Sequence, residues 1–253
     1  MESKPELIKP ELIELLRNTE SVLFLTGAGV SAESGIPTFR DADGIWNKMK
    51  PEELANFDAF MKNPDLVWEW YQYRRQIIRE SGPNKAHYAI AEFQKYFPDV
   101  SVVTQNIDNL HRRAGSETVF ELHGNIERSY CIKCHAYYNS PNFTFYDKAP
   151  KCLCGGLIRP DVVWFGESLP ESEFNQAEKA AQRCGVIFIA GTASVVYPAA
   201  QIPFIARRFG ACLVEINIGE TEISYLADYC LYGRAGDIIP AVLEEVKRVR
   251  TAL

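Results

Sequence analysis

Short apolar runs alternate along the chain with longer stretches in which apolar residues recur at helical spacing. Runs of this length are typical of buried strands, and strands that alternate with helices are typical of a parallel, doubly wound sheet. The pattern therefore predicts an α/β fold. The predicted strands are residues 22–25, 100–103, 186–190, 213–216 and 229–232, and the predicted helices are residues 86–96, 171–183, 199–209 and 238–250.

Two segments depart from this alternation of strands and helices. Residues 46–80 look helical and are rich in aromatic residues, whereas residues 130–158 contain four cysteines and show little periodicity. We expect both segments to be inserts that form a second lobe beside the sheet. The predicted organisation is a single domain over residues 1–253, with a helical insert at 41–82 and a cysteine-bearing insert at 128–159.

The first apolar run leads into a glycine-rich turn with Gly27 and Gly29, and Ser31 follows. Glycine permits a tight turn and lets the backbone approach a ligand, and a helix that starts here would gather free N–H groups. This combination is typical of a cradle for a phosphate group, although many strand-to-helix turns carry glycine only for packing. Phe39 and Arg40 follow after a predicted helix stop, at a position suited to closing over a ligand.

Composition and charge exclude several classes of protein. With 253 residues, of which 47% are apolar, the chain can bury the core of one large domain. A formal net charge of −6 argues against bulk affinity for nucleic acid. No apolar run reaches the ~18 residues of a membrane span, and the N-terminal residues lack the apolar core of a signal peptide. Three of the seven cysteines (Cys184, Cys212 and Cys230) lie in apolar runs and are expected to be buried. We therefore expect a monomer in the reducing cytoplasm, with no nucleic-acid or membrane partner.

The other four cysteines form two close pairs, Cys131-x-x-Cys134 and Cys152-x-Cys154, separated by seventeen residues. Paired cysteines at this interval are typical of a zinc ribbon, in which each pair supplies two thiolates to a tetrahedral site. Disulfides are disfavoured in a reducing compartment, and core thiols are disfavoured in so polar a segment. The insert at 128–159 is therefore predicted to hold one structural zinc ion, although its second pair is one residue tighter than usual.

Three histidines have distinct sequence contexts. His123 follows a short apolar run and precedes glycine, so we expect it at a strand end with room for a substrate. This context makes His123 a candidate catalytic residue. His87 lies three residues after Asn84, which favours a capping or packing role in the first turn of a helix. His111 follows a polar cluster and is expected on or near a helix surface.

Taken together, these motifs resemble those of the sirtuin family of NAD-dependent protein-lysine deacylases. The resemblance runs from residue 27 to about residue 219. It implies a Rossmann-like domain with a zinc-ribbon lobe and a helical lobe, and a cleft in which NAD and an acyl-lysine peptide meet. The matching segments are GAGVSAESGIPTFR, PNKAHYAI, TQNIDNLHRRAG, ELHGN, CIKC, CLCGG, LIRPDVVWFGE, GTASVVYPAA and INIGE.

The resemblance implies an NAD site made of residues from several segments. One position departs from the family pattern, because Ala193 stands where the family usually has serine, while its neighbour Ser194 retains a hydroxyl. The residues implied to hold NAD are Gly27, Ala28, Gly29, Ser31, Thr38, Phe39, Arg40, Gln105, Asn106, Asp108, Gly191, Thr192, Ala193, Asn217 and Ala235.

The resemblance also implies the catalytic and substrate-binding residues. His123 would be the general base on a ribose hydroxyl, and Asn106 would serve the reaction in the nicotinamide and ribose pocket. The segment with Val162, Trp164 and Phe165 would run beside the substrate backbone as a strand partner.

Tyr71 and Arg74 narrow the class of acyl group. They are three residues apart in a helical segment, so the phenol and the guanidinium share one face. They match the Tyr-x-x-Arg pair of the sirtuin branch that prefers succinyl and malonyl groups. Ala55 matches the small residue that widens the acyl pocket in that branch. A solvated arginine beside an interfacial tyrosine is the alternative interpretation.

The predicted function is NAD-dependent desuccinylation and demalonylation of protein lysines, with deacetylase activity, giving nicotinamide and O-acyl-ADP-ribose. Two alternatives remain open on the same motifs. One is mono-ADP-ribosyl transfer to a protein nucleophile, and the other is a non-catalytic NAD-sensing module. The intact His123 and the pair of Tyr71 and Arg74 favour deacylation.

Overall fold

The computed structural model describes residues 8–37, 54–139 and 148–253. The strands within these ranges divide between two sheets. In chain order they are β1 Ser21–Thr26, β2 Asp99–Thr104, β3 Val119–Glu121, β4 Gly124–Cys131, β5 Tyr137–Asn139, β6 Ile158–Val162, β7 Val186–Ala190, β8 Cys212–Asn217 and β9 Tyr229–Tyr232.

The larger sheet is parallel, with its six strands in the order β3-β2-β1-β7-β8-β9. At its centre β1 pairs with β2 from Ser21 opposite Asp99 to Thr26 opposite Thr104. The smaller sheet is antiparallel, in the order β5-β4-β6. The α/β fold predicted from the apolar runs is confirmed, and β3 adds a short strand at the edge of the larger sheet.

Helices cover both faces of the larger sheet and support the smaller one. Within the described ranges, no helix combines the length and the apolar character that a membrane span requires. The helices are α1 Pro10–Asn18, α2 Ala28–Ala32, α3 Phe57–Lys62, α4 Pro64–Glu80, α5 Lys85–Glu92, α6 Leu110–Arg113, α7 Glu171–Arg183, α8 Ile202–Arg208 and α9 Ala235–Val249.

Two apolar layers sandwich the parallel sheet. Phe24 of β1 lies in the layer that includes residues of α1, α5 and α9, and its ring centre is 5.0 Å from those of Phe93 and Phe188. Leu23 and Leu25, the two neighbours of Phe24, lie in the opposite layer with residues of α7 and α8. Because β1 is buried on both faces, it has a continuous apolar run rather than an alternating pattern.

A third apolar cluster joins α3 and α4 to the smaller sheet. The buried Arg75 of α4 reinforces this contact by donating to the Ile126 carbonyl oxygen (2.7 Å) and to Ser129 Oγ (2.8 Å), both on β4. Burial lowers the pKa of Arg75 to about 10, which leaves the guanidinium charged at neutral pH. Arg75 therefore fastens α4 to β4 through a cation that is satisfied by neutral acceptors.

The two predictions about His87 and His111 have opposite outcomes. His87 forms a capping box at the start of α5, in which its Nδ1 accepts the N–H of Asn84 (3.3 Å), so the capping prediction is confirmed. The prediction that His111 lies on or near a helix surface is wrong, because this residue is only 2% exposed. Its Nε2 lies 2.9 Å from Thr26 Oγ1. Since α6 has only four residues, its sequence lacks the periodicity that would reveal a buried face.

Candidate functional site

The order of strands in the parallel sheet reverses between β1 and β7. The chain continues from β1 to β2 and β3 on one side, whereas β7, β8 and β9 extend the sheet on the other. Ligands of doubly wound sheets bind beyond the carboxyl ends of the strands at such a reversal. We therefore place the candidate site at the turns that follow Thr26 and Ala190, the last residues of β1 and β7.

Glycines bring these two turns into direct backbone contact. The N–H of Gly27 donates to the Ala190 carbonyl oxygen (3.1 Å), and the N–H of Gly29 donates to that of Gly191 (2.8 Å). A Cβ on Gly29 would lie 2.8 Å from Gly191 Cα, and a Cβ on Gly191 would lie 2.5 Å from Val30 N. Close packing thus accounts for glycine at both positions, and contact of this turn with a diphosphate remains a prediction.

The loop after β2 reaches back to α2 through polar side chains. Ser31 Oγ donates to Asp108 Oδ2 (2.6 Å) and accepts from Asn106 Nδ2 (3.0 Å). Asn106 Nδ2 also donates to the Gly27 carbonyl oxygen (2.9 Å). Burial raises the pKa of Asp108, although Ser31 and the backbone N–H of Leu110 both donate to its carboxylate. The structure therefore brings together four of the residues predicted to hold NAD, with the Ser31 hydroxyl between the side chains of Asn106 and Asp108.

His123 lies in the turn between β3 and β4, and the main chain holds its ring. Nδ1 is 3.0 Å from the carbonyl oxygen of Gln105. Because a carbonyl oxygen can only accept, Nδ1 carries the proton and Nε2 is the basic nitrogen of the neutral ring. Burial lowers the pKa of His123, and the hydrogen bond to Gln105 offsets part of that shift. The ring is therefore neutral at neutral pH and able to accept a proton.

Residues that follow β7 and one that ends β8 complete the other side of the site. Gln105 Nε2 donates to Thr192 Oγ1 (2.9 Å), and Asn217 Nδ2 donates to the Thr192 carbonyl oxygen (2.9 Å). Thr192 thus links the loop after β2 to the end of β8. Beyond the half-buried Ala193, the buried Ser194 hydroxyl has no hydrogen-bond partner among the described residues. The N–H of Ser194 donates to Thr192 Oγ1 (3.1 Å), and an unsatisfied buried hydroxyl next to that loop fits a polyhydroxylated ligand such as a dinucleotide.

Glu33 connects the glycine-rich turn to the last helix, although its sequence context did not single it out. Its Oε1 accepts the N–H of Gly236 (2.8 Å) in the first turn of α9, where a carboxylate is favourable. A Cβ on Gly236 would lie 2.7 Å from Glu33 Oε2, so a larger residue there would displace the carboxylate from this position. Ala235, one of the residues predicted to hold NAD, adjoins this contact.

The segment after β6, predicted to lie beside the substrate, is tied to two other parts of the site. Val162 is buried as the last residue of β6. The N–H of Val163 donates to the His123 carbonyl oxygen (3.0 Å), and the N–H of Phe165 donates to that of Ala55 (2.9 Å). The structure therefore ties Val163 to the turn that holds His123, and it ties the exposed Phe165 to Ala55.

Trp164 is buried and held by polar groups on several sides. Its Nε1 donates to the Tyr71 hydroxyl (2.8 Å), and its backbone N–H donates to Glu167 Oε2 (2.8 Å). The guanidinium carbon of Arg159 lies 3.3 Å from the Trp164 ring centre, and Arg159 forms a two-pronged ion pair with Glu167. Sequence reasoning missed Arg159 and Glu167, because a charged residue in a strand or loop carries no local signal of the partner that it meets in the fold.

Tyr71 and Arg74 lie close together on α4. The guanidinium carbon of Arg74 is 5.2 Å from the Trp70 ring centre and 6.0 Å from that of Tyr71. Burial lowers the pKa of Arg74, and the nearby Asp108 carboxylate opposes part of that shift. Burial raises the pKa of Tyr71, so its phenol stays protonated. The pair therefore presents a cation and a hydroxyl in surroundings that exclude much of the water.

The four paired cysteines converge at the end of the smaller sheet. Their Sγ atoms all lie within 4.8 Å of one another, with Cys131 to Cys154 and Cys134 to Cys152 both at 3.5 Å. Tetrahedral zinc with Zn–S bonds of 2.3 Å requires sulfurs about 3.8 Å apart. The cluster therefore fits a structural zinc ion, including the tighter second pair.

Three residues predicted to hold NAD, Thr38, Phe39 and Arg40, lie outside the described residues. Residues 41–53 of the predicted helical insert also lie outside them.

The fold and the site define a doubly wound α/β protein whose ligand site lies at the carboxyl edge of the sheet, beside a four-cysteine lobe. The profile of the Sir2 family matches residues 27–198. The chain therefore belongs to the Sir2 family, the sirtuins.

Individual relatives agree with this assignment over nearly the whole chain. An NAD-dependent protein deacylase of Pyrococcus abyssi is 46% identical over 252 residues, which cover 94% of this chain and 98% of that protein. NAD-dependent protein deacylase 1 of Archaeoglobus fulgidus is 45% identical over 244 residues, which cover 96% of this chain and 98% of that protein. A Sir2 homologue solved with NAD is 43% identical with a TM-score of 0.91, covering 95% of this chain and 94% of that chain.

Proposed function

We propose that this chain is an NAD-dependent protein-lysine deacylase that releases nicotinamide and O-acyl-ADP-ribose. The observation that supports this most strongly is the ring of His123, which the Gln105 carbonyl oxygen holds in the tautomer with a basic Nε2. A neutral histidine in this state suits a general base on a ribose hydroxyl at neutral pH. Two relatives similar to this chain are named NAD-dependent protein deacylases, which supports the same activity.

The proposed NAD site lies along the carboxyl edge of the parallel sheet. NAD would supply the ribose carbon that the acyl oxygen attacks as nicotinamide leaves. Asn106 orients the Ser31 hydroxyl and the Gly27 carbonyl, and Gln105 and Asn217 fix the loop at Thr192. The other residues that we propose for this site are Ala28, Gly29, Thr38, Phe39, Arg40, Asp108, Gly191, Ala193 and Ala235.

Replacing His123 tests this mechanism. We expect His123→Ala to reduce deacylation by at least about 10²-fold, the usual contribution of a positioned general base. NAD binding, measured by calorimetry, should change little, because the assigned role of His123 is proton transfer. The assay follows nicotinamide and the acyl-lysine peptide by mass spectrometry, with and without NAD. Near-normal turnover in the variant would refute the role of His123.

The same assay separates the alternative functions. A peptide that gains ADP-ribose while keeping its acyl group would identify a mono-ADP-ribosyltransferase. Calorimetric binding of NAD without any nicotinamide release would identify a non-catalytic sensor.

We further propose that Tyr71 and Arg74 select acidic acyl groups such as succinyl and malonyl. A carboxylate that enters a partly dry pocket must lose water, which is costly unless a cation and a hydrogen-bond donor replace that water. Arg74 offers a planar fork of donors for a carboxylate. The Tyr71 oxygen accepts from Trp164, so its own proton can still be donated. Ala55 is half-buried, and its carbonyl accepts from the proposed substrate segment at Phe165, which supports a place for its small side chain near the acyl group.

Comparing three acyl groups tests this specificity. Arg74→Met should lower kcat/KM for succinyl-lysine peptide by at least about 10²-fold, near 3 kcal/mol, while deacetylation stays within a few-fold. Malonyl-lysine should behave like succinyl-lysine. Arg79→Met is the matched control, because Arg79 is an exposed arginine on the same helix. Parallel loss of all three activities in Arg74→Met would show that Arg74 supports the fold or the NAD site instead.

We also propose that the chain acts as a single catalytic domain over residues 1–253, with the helical insert at 41–82 and the zinc-ribbon insert at 128–159. Its substrates would be acyl-lysine proteins in the cytoplasm, and it would act as a monomer without nucleic-acid or membrane partners. Four of the cysteines are grouped as a metal site requires, and a reducing compartment keeps such thiols available for a metal, which supports the cytoplasm. Sedimentation equilibrium of the purified chain tests the monomer directly.

A further inference from the structure

A buried carboxylate lies at the carboxyl end of β3, two residues before His123. The side chain of Glu121 is only 5% exposed. Its Oε2 accepts from Arg128 Nη1 (2.7 Å), and its Oε1 accepts from Asn125 Nδ2 (2.7 Å). Arg112 Nε lies 3.5 Å from the same Oε1. A buried carboxylate with this many donors is held in a single orientation.

Arg128 extends this contact into the smaller sheet. Its Nε donates to Asp161 Oδ2 (2.8 Å), while its Nη1 holds Glu121. The guanidinium thus joins the parallel sheet at β3 to both β4 and β6. The pairing of β4 with β6 is irregular here, because the register shifts between Asn125 and Ser129. Where the regular ladder is interrupted, the carboxylate–guanidinium–carboxylate bridge supplies a connection between the strands.

The turn between Glu121 and Asn125 is closed by this network and holds His123 at its centre. The hydrogen bond between those two side chains spans the turn. Gly124, with φ +78°, approaches Asp161 so closely that a Cβ would lie 2.2 Å from its carbonyl oxygen. The ring of His123 reaches the Gln105 carbonyl oxygen at 3.0 Å, which leaves little tolerance for movement of the turn.

We infer that Glu121 and Arg128 are positioning residues for His123. Their bridge to Asp161 fixes the turn so that the His123 ring stays hydrogen-bonded to the Gln105 carbonyl oxygen. The expected effect on the rate of deacylation rests on the proposed function of His123. The expected effect on the position and tautomer of the His123 ring does not. An ion pair between a buried carboxylate and a partly exposed guanidinium adds little net stability, so stability alone is a weak explanation for this bridge. Placement of a reacting group is a stronger one, since a displacement of about 1 Å can cost 10²-fold in rate.

Kinetics of Glu121→Gln and Arg128→Gln test the inference on the full chain. We expect kcat for deacylation to fall about 10-fold or more in both variants, while KM for NAD stays within about two-fold. Arg128→Lys retains the charge and should recover part of the loss. Arg128 is 39% exposed on its side chain, so its variants provide a second route should Glu121→Gln fail to fold. The matched control is Arg183→Gln, which breaks the ion pair of Arg183 with Asp99. Asp99 begins β2, at the end of the strand that lies away from the candidate site, so kcat should stay unchanged.

Nitrogen NMR of labelled imidazole rings gives a readout that does not depend on activity. The His123 signal, identified by its absence in His123→Ala, should report a single Nδ1–H tautomer in the unaltered protein and a mixture of tautomers in Glu121→Gln. Retention of the single tautomer in Glu121→Gln would overturn the inference, even if kcat fell. A fall in kcat that follows only the fraction of unfolded protein would also overturn it. If His123→Ala kept its activity, the proposed function would fail, whereas the tautomer measurement would still decide the positioning role.

Discussion

Lowering the pH from 7 to 5 should destabilise this protein, and His87 accounts for a defined share of the loss. The His87 ring is buried, its Nδ1 accepts the N–H of Asn84, and its Nε2 has no partner among the described residues. The ring of His111, a titratable group on the neighbouring helix α6, is centred 4.8 Å away. A proton on Nδ1 would remove the acceptor that caps α5 and would place a charge in the core. Burial accordingly lowers the pKa of His87 from 6.5 to about 4.

The size of the effect follows from these two pKa values. Between pH 6.5 and about 4 the unfolded chain binds a proton at His87 that the folded chain does not bind. Stability therefore falls as the pH falls through this window and levels off below it. At pH 5 the unfolded histidine is mostly protonated and the folded one mostly neutral, which costs about 2 kcal/mol relative to pH 7.

Urea unfolding of two proteins isolates this contribution. His87→Gln keeps an acceptor at the third position of the capping box but cannot gain a charge. The unaltered chain should lose about 2 kcal/mol more unfolding free energy than the variant between pH 7 and pH 5. Taking the difference between the two proteins cancels the titration of the remaining groups, apart from the coupling to His111. Equal losses would refute the reasoning, because His87 would then titrate alike in both states.

Three further predictions concern other parts of the structure. Fresh protein should contain about one zinc per chain, and a strong chelator should lower the melting temperature; no metal beside four titratable thiols would contradict the cysteine site. Glu33→Gln should raise KM for NAD several-fold at nearly constant kcat, because it weakens the contact between the glycine-rich turn and α9; unchanged NAD affinity by calorimetry would disprove that coupling. Arg75→Met should reduce the urea-derived free energy of unfolding by about 3 kcal/mol, because buried acceptors on β4 lose their donor; a loss below about 1 kcal/mol would show that water replaces it.

The parallel sheet and the cysteine site could be predicted because their signals are local. The central strands are buried on both faces, so each appears as an apolar run that ends in glycine or a polar residue. The cysteine pairs imply a metal site by spacing alone. β3, with three residues, is too short for a periodic signal of its own and was indicated only as a short apolar run before His123.

Contacts between distant residues could not be predicted in the same way. Ser31 and Asp108 are 77 residues apart, and nothing near either of them specifies the other as its partner. Glu121 and Arg159 are charged residues that lie in strands and are nearly fully buried. In the sequence they look the same as solvated charges, because their burial depends on partners that the fold brings to them.

The chain leaves the parallel sheet to form the smaller sheet, and it returns at the place where it left. The chain departs at His123 and comes back at Val163, and the backbone of these two residues is hydrogen-bonded. The residues between them therefore form an excursion whose two ends are neighbours, with α-carbons separated by about 5 Å as in paired strands. Arg128 and Asp161 of the proposed bridge lie within this excursion, so it cannot be exchanged without loss of that bridge. A ligand-responsive loop inserted within the excursion would keep both residues and pass its change of shape to the backbone of His123, so that the scaffold becomes a biosensor with deacylation as its output.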